Sequence, residues 1–408
     1  MQDPAHIDLV LVGARPKVVA ALLRYFRDLD TAEEAFQEAC LRALQSWPEK
    51  GPPRDPTAWL IMVGRNAALD TIRRHKGNEP LGDDDLPHED QVSVPERLDD
   101  SDYRDDILRL LFVCGHPTLP APQQIALALR IVSGLTVEQI ARAFLVSESA
   151  MEQRITRAKR AIAAAGVEFE TPGAAERAQR LVAVLAMIYL IFNEGYGSTP
   201  DTAEVRGPLA EEAIRLARLA LGLFPTEPEV LGLLALLLLQ HSRAAARFGV
   251  KGELVLLEDQ DRGTWNRALI EEGQVLLEQA ARHGEPGPYQ VQAAIAASHA
   301  RATTAAETSW EEIDLLYQAL ERLVPSPVVT LNRAVAVAKL HGPEVALQLI
   351  EPLADQLAGY FYFHGLRGAL LKQLNRPDAA REALTRALGL ASTNAEADHI
   401  RQQLASLT

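Results

Sequence analysis

A chain of 408 residues carrying a formal net charge of −14 has room for two to four domains with sizeable cores. Only two cysteines, Cys40 and Cys114, exclude a disulfide framework and a cysteine-rich metal site, and the N-terminus lacks a basic-then-apolar leader pattern, so a reduced, cytoplasmic protein is expected. The longest apolar runs, 181–192 and 230–239, fall short of the ~20 residues that cross a bilayer, so they read as buried helices and no membrane partner is expected.

The periodicity is helical throughout and predicts an all-α chain. The first block, 8–78, contains a helix from about Ala32 to Trp47 with Phe36, Cys40, Ala43, Leu44 and Trp47 on one face. Glu34, Gln37, Glu38 and Leu41 lie largely off that stripe. A second helix opens at Asp55 with Pro56 in its first turn, a favourable helix entry, and runs to about His75. Its three- and four-residue steps gather Trp59, Met62, Val63, Asn66, Leu69, Asp70 and Arg73 on one broad face, and Arg65, Arg73, Arg74 and Lys76 add positive charge. That combination suits stacking on bases and neutralising phosphates; a core tryptophan with a charged helix end is the plainer alternative.

Residues 79–106 hold twelve acids against Arg97 and Arg104, which predicts an acidic linker with little periodic apolar pattern. The blocks on either side of it, counted to residue 170, are mildly basic. The total charge therefore does not argue against nucleic acid as a partner.

The next block, 107–166, contains TVEQIARAFLVSESAMEQRITRAKRAI from Thr136 to Ile162, two short helices joined by a tight turn. Ile140, Ala141, Phe144 and Val146 supply packing for the first helix and the turn. Met151, Ile155, Ala158 and Ile162 recur at steps of four, three and four, which makes one buried stripe and leaves Gln153, Arg154, Arg157 and Arg160 facing outward. Ser147 can cap the second helix directly, or Ser149 can do so in a reciprocal box with Glu152. The turn position that often carries glycine is Leu145. This is the pattern of a helix-turn-helix, whose second helix enters the DNA major groove.

From 171 to 408 the chain is rich in alanine and leucine, with glycine or proline breaks every 15 to 20 residues, the texture of stacked helical hairpins. Residues 310–324 and 328–340 make one pair around the break at 325–327. Ala346 and Ala380 stand one 34-residue tetratricopeptide period apart, and irregular units are expected near 190–200 and 250–265.

Taken together, the first 165 residues resemble the bacterial extracytoplasmic-function (ECF) sigma factors of the sigma-70 family. The resemblance implies that AEEAFQEACLRALQSWP binds the clamp helices of RNA polymerase core through Glu33, Glu34, Gln37, Glu38 and Leu41. It implies that WLIMVGRNAALDTIRRHK meets the promoter −10 element through Trp59, Arg65, Asn66, Asp70, Arg73, Arg74 and Lys76. The helix-turn-helix would then read the −35 element through Ser147, Glu148, Ser149, Glu152, Gln153, Arg154, Arg157 and Arg160. The phrases IFNEGYGST, LLEDQDRGTWN and SPVVTLNRAVAVAK resemble the long tetratricopeptide-like extension of one subgroup, in which the extension is thought to take over control and a dedicated membrane anti-sigma factor is generally not implied. On the same ground the acidic linker would thread polymerase channels otherwise used by nucleic acid; a self-repelling spacer is the alternative.

Three smaller constellations carry less. Cys114 and His116 are two ligands where structural zinc usually needs four, so a packing turn is expected and no metal. Asp259 and Asp261 resemble the start of a calcium loop, but Ile270 stands where its glutamate belongs. NEGYG at 193–197 is a ligand-binding turn or a helix cap. No cofactor, and no nucleophile, base and orienting acid in a recognisable set, are found, so the chain reads as a non-enzyme. A one-component helix-turn-helix regulator with a repeat-based sensor is the rival reading, and a protein or peptide partner of the repeat region is expected under either.

Overall fold

A computed structural model of the chain describes residues 4–76, 100–144, 146–165, 174–196, 203–249 and 253–407. Among these the regular elements are helical, with one isolated antiparallel bridge between Phe248 and Leu254. The chain divides into two units, 1–191 and 192–408. That division falls inside a helix, 21 residues beyond the start expected for the extension.

In the first unit, α1 (Pro4–Phe26), α2 (Leu29–Lys50) and α3 (Pro56–Lys76) pack on one another. Asp28 starts α2 by accepting the Thr31 N–H at 2.8 Å, and Asp55 accepts the Ala58 N–H at 3.0 Å at the entry to α3. α2 is longer than its apolar stripe, running through Pro48 to a Gly51 cap. Phe36, Ala43 and Trp47 are buried as the stripe requires, but Leu44 is 47% exposed. α3 crosses α2 closely at Gly64, where a Cβ would stand 2.7 Å from the Ala35 carbonyl oxygen.

The helix α4 (Asp100–Cys114) begins seven residues before the expected end of the acidic linker. Asp100, Asp102, Asp105 and Asp106 fall near its N-terminus, where carboxylates favour the helix dipole. Asp106, expected in the linker, is buried between Arg24 of α1 at 3.4 Å and Arg109 at 3.0 Å. Residues 77–99, the greater part of that linker, lie outside the described residues, as do Leu145 and the side chains of Arg74 and Lys76. The unit continues with α5 (Ala121–Ile131), α6 (Val137–Ala143), α7 (Glu148–Ala164) and most of α8 (Ala174–Tyr196).

The second unit is built from α9 (Ala203–Leu223), α10 (Pro228–His241), α11 (Arg267–Ala281), α12 (Pro288–Arg301), α13 (Trp310–Leu323), α14 (Pro327–His341), α15 (Pro343–Ile350), α16 (Phe361–Gln373), α17 (Pro377–Leu390) and α18 (Asn394–Ala405). Consecutive helices pack on one another, giving the tetratricopeptide-like stack. Proline occupies the first turn of α10, α12, α14, α15 and α17, where its missing N–H costs nothing and its fixed φ starts the next helix. Ala346 and Ala380 each sit three residues after such a proline and are fully buried in one apolar cluster with Phe363 and Leu371. The 34-residue period thus places two alanines where neighbouring helices cross.

Every residue of α10 from Val230 to Leu239 is buried. The stretch Pro228–Ala246 is long and apolar enough to cross a membrane by length and composition, at 19 residues, slightly beyond the expectation from sequence. α10 packs instead among α9, α11 and α12.

Candidate nucleic-acid interface

The recognition unit is held from both ends of its turn. Thr136 caps α6 in a reciprocal box with Gln139, the two bonds measuring 3.1 and 2.8 Å. The Val146 N–H returns to the Ala141 carbonyl at 3.1 Å, the six-to-one bond that closes a helix in a Schellman ending. Ser147 then caps α7 by accepting the Ala150 N–H at 3.2 Å, so of the two serines open on sequence grounds the structure uses the first. Met151, Ile155, Ala158 and Ile162 are all buried. Ser147, Glu148, Ser149, Glu152, Gln153, Arg157 and Arg160 are exposed, and Arg154 is half-buried. A capped N-terminus with exposed polar side chains and arginines further along is the arrangement that probes base edges first and phosphates next.

On α3, Leu60, Ile61 and Ala67 form the buried side. Met62, Asn66, Asp70 and Arg73 are exposed, so the broad face noted in the sequence looks outward. Trp59 is half-buried, its ring centroid 5.3 Å from that of Trp47 at 57°. Arg65 departs from this face: its guanidinium lies 5.5 Å from the Tyr25 ring centroid, against the helical core. A helix position next to Asn66 is rotated by about 100° from it, which is why the two point differently.

On α2, Glu34, Gln37 and Leu41 are exposed, and Glu38 pairs with Arg42 at 3.1 Å. Leu41 at 55% and Leu44 at 47% exposure give this acidic face two large apolar side chains in solvent. Glu33 does not join them. It is 4% exposed and ion-paired with three cations from other helices: Arg130 of α5 at 2.6 Å, Lys159 of α7 at 3.1 Å and Arg15 of α1 at 3.5 Å.

Sequence reasoning passed over Arg15, Asp30, Arg130 and Lys159. Arg15 donates through Nε to the Ile131 carbonyl at 3.1 Å and through Nη2 to the Arg130 carbonyl at 3.0 Å, while its guanidinium lies 5.0 Å from the Phe36 ring centroid. Burial draws the Arg15 guanidinium below its ordinary range against the opposing pull of Glu33. Burial also works against the Lys159 ammonium, but its bond to Asp30 and the charge of Glu33 outweigh that and raise it. Gly134 adopts φ +77°, and a Cβ there would meet Arg15 Cδ at 2.7 Å; the left-handed turn between α5 and α6 and the seat of Arg15 both require glycine.

The lesser constellations resolve into packing. The Cys114 thiol is fully buried and pushed up to about 12, and His116 Nδ1 lies 2.8 Å from Thr118 Oγ1. Asp261 caps a short 3-10 turn through the Gly263 N–H at 2.8 Å. Gly195 of NEGYG lies within α8, where a Cβ would stand 2.3 Å from the Ala210 nitrogen, so its smallness serves a close helix crossing; the end of that motif, from 197, lies outside the described residues.

The family model described as Sigma-70 region 2 matches residues 11–77, and the one described as Sigma-70, region 4 matches 110–162. A family of unknown function matches 180–281. An uncharacterized protein of Rhizobium meliloti is 64% identical over 99% of this chain and 96% of its own length. The RNA polymerase sigma-H factor of Pseudomonas aeruginosa is 27% identical over 39% of this chain and 86% of its own. The ECF RNA polymerase sigma factor SigL of Mycobacterium tuberculosis is 28% identical over 34% of this chain and 77% of its own.

Proposed function

Because the chain belongs to the extracytoplasmic-function sigma factors, which join RNA polymerase core on promoter DNA to start transcription, we propose a division of labour among its helices. α2 offers Glu34, Gln37, Glu38 and Leu41 to the polymerase clamp helices, while Glu33, buried among Arg15, Arg130 and Lys159, holds the helix from within. α3 meets the −10 element through Trp59, Asn66, Asp70 and Arg73, with Arg74 and Lys76 at its end, and Arg65 supports the face from behind. α7 reads the −35 element, Ser147, Glu148, Ser149, Glu152 and Gln153 toward the bases and Arg154, Arg157 and Arg160 toward bases and phosphates.

The observation that supports this reading most is the exposed face of α7 above its four-residue buried stripe. No covalent chemistry is asked of these residues; they supply binding energy to one promoter over others. The test is footprinting of the full chain with core polymerase on a promoter it selects, repeated with single alanine variants. Arg157→Ala should weaken all promoters alike and lower the salt dependence of binding by about one counterion. Gln153→Ala should cost ~1–3 kcal/mol at one base position and little elsewhere. Equal losses across all sequences for both variants would remove the base-reading role.

We also propose that the helical-repeat extension governs when the sigma unit acts, through a protein or peptide partner. Its support is the extent of the second unit, which carries its own apolar core. Removal of 171–408 should change promoter-specific transcription; unchanged transcription would refute control by the extension.

A further inference from the structure

The second unit contains a cavity of about 770 Å³ with walls from α12, α13, α14, α16, α17, α18 and the segment 254–262. Small-molecule sites span roughly 300–1,000 Å³. The lining is mainly apolar and includes Trp310, Tyr317 and Phe361. Leu256, Val335 and Tyr362, which the fold leaves exposed, also line it, so apolar surface without a cover is gathered at this one place. The charges on the lining do not cancel. Lys339 pairs with Glu258 at 2.5 Å. Glu396 accepts from the Ser392 and Thr393 N–H groups at the start of α18 and from the Tyr362 hydroxyl at 3.2 Å, so a helix N-terminus balances it. Arg262 is different. It is 5% exposed and donates to the His299 and Ala302 carbonyls and the Thr308 hydroxyl at 2.7, 2.9 and 2.9 Å. It has no ion pair among the described residues, and its Nε finds no hydrogen-bond partner. Glu307, whose charge reaches Arg262, is exposed and spends its carboxylate on the Thr303 N–H and hydroxyl. The His299 imidazole, also in the lining, is held down to about 4 by burial and then by the charges of Arg243 and Arg262. This part of the cavity is therefore positive without a counter-charge.

We propose that this cavity binds a small apolar carboxylate, its body against Trp310, Tyr317, Phe361 and the aliphatic walls and its acid group at Arg262. A buried guanidinium held only by neutral oxygens keeps its strongest interaction, that with a carboxylate, unused. A neutral ligand leaves that charge uncompensated, and a cationic one is repelled by it. Six helices and a covering segment contribute to the wall, which suits a compact molecule better than an extended chain. The ligand is an input beside the partner proposed above for the extension. Its binding is read without polymerase or promoter, so the site and the control by the extension can fail separately.

The test is calorimetric titration of the full chain with decanoate and with 2-naphthylacetate, using decanol and decylammonium as neutral and cationic counterparts, all below their micellar range. At least one of the two carboxylates should bind at one site per chain, at least tenfold more tightly than decanol or decylammonium. Two variants then locate the site. Arg262→Gln should bring the carboxylate down to the level of decanol. Gly365→Phe with Ala369→Leu should abolish binding: both positions line the cavity one turn apart on α16, and a Cβ at Gly365 would meet nothing nearer than Ile400 Cδ1 at 3.9 Å, so the new side chains fill the cavity without moving the helix. Should Arg262→Gln fail to fold, as judged by helix content, the filled cavity decides the location and the comparison with decanol and decylammonium decides the charge. No binding of either carboxylate, equal binding of decylammonium, or binding that survives the filled cavity would overturn the proposal. If the carboxylate binds as described while removal of 171–408 leaves transcription unchanged, control by the extension falls and the site stands.

Discussion

Each unit owes its internal cohesion to a different balance of chemistry. In the second, ten consecutive residues of α10 are buried without a charge among them, and small alanines let neighbouring helices approach. In the first, α1 packs on α4, and beside that apolar contact α1 and α2 meet α5 and α7 through the buried ion pairs of Glu33 with Arg15, Arg130 and Lys159. Apolar burial is large, non-directional and hard to reverse in part, whereas an ion cluster can trade one set of partners for another at little net cost.

Breaking the apolar side of that contrast should have the largest effect. Leu234→Ala, at a position 1% exposed in α10, should destabilise the second unit by ~2–5 kcal/mol, read from denaturant unfolding with the m-value unchanged. A loss below 1 kcal/mol would mean that α10 is not the centre of that core.

The second unit also holds the titratable His299, whose imidazole burial lowers to about 4, with Arg243 and Arg262 adding to the effect. Its folded value lies below the unfolded value near 6.5, so the unfolded chain takes up the proton first. Stability from this group is full above about pH 6.5 and drains as pH falls toward 4, by up to about 3 kcal/mol. His299→Gln should flatten that part of the stability profile relative to wild type; an identical slope in both would contradict the burial of a neutral imidazole.

On the charged side, Gly134→Ala forces a left-handed backbone on alanine and pushes against Arg15, costing ~1–2 kcal/mol. The loss should appear in the first unit's unfolding and be absent from the second's. The smallest effect is expected at the cap of α7: Ser147→Ala should cost ~1 kcal/mol and raise backbone amide exchange in the first turn of that helix alone.

Much of this was legible because helical periods are local. The stripe Met151, Ile155, Ala158 and Ile162, the Asp55–Pro56 entry and the 34-residue step between Ala346 and Ala380 each express one helix meeting one neighbour. Glu33 was readable in part: it falls on the stripe Phe36, Cys40, Ala43 and Trp47 at the preceding three-residue step, and a carboxylate on a buried stripe requires cations. Which cations cannot be read locally, since Arg130 and Lys159 lie about a hundred residues on. Leu41 and Leu44 mislead in the opposite sense, because apolar residues are counted toward a core whether or not a neighbour covers them. The start of α4 was hidden by its aspartates, which resemble a linker by composition although acidic residues favour a helix N-terminus.

The central claim, that this chain selects promoters for core polymerase and answers to its extension, is tested most directly by mapping transcripts made in vitro with core polymerase, with and without residues 171–408. The account predicts discrete start sites at a fixed distance from a shared pair of upstream elements, with output that changes when the extension is removed. Start sites indistinguishable from those of core polymerase alone would contradict it.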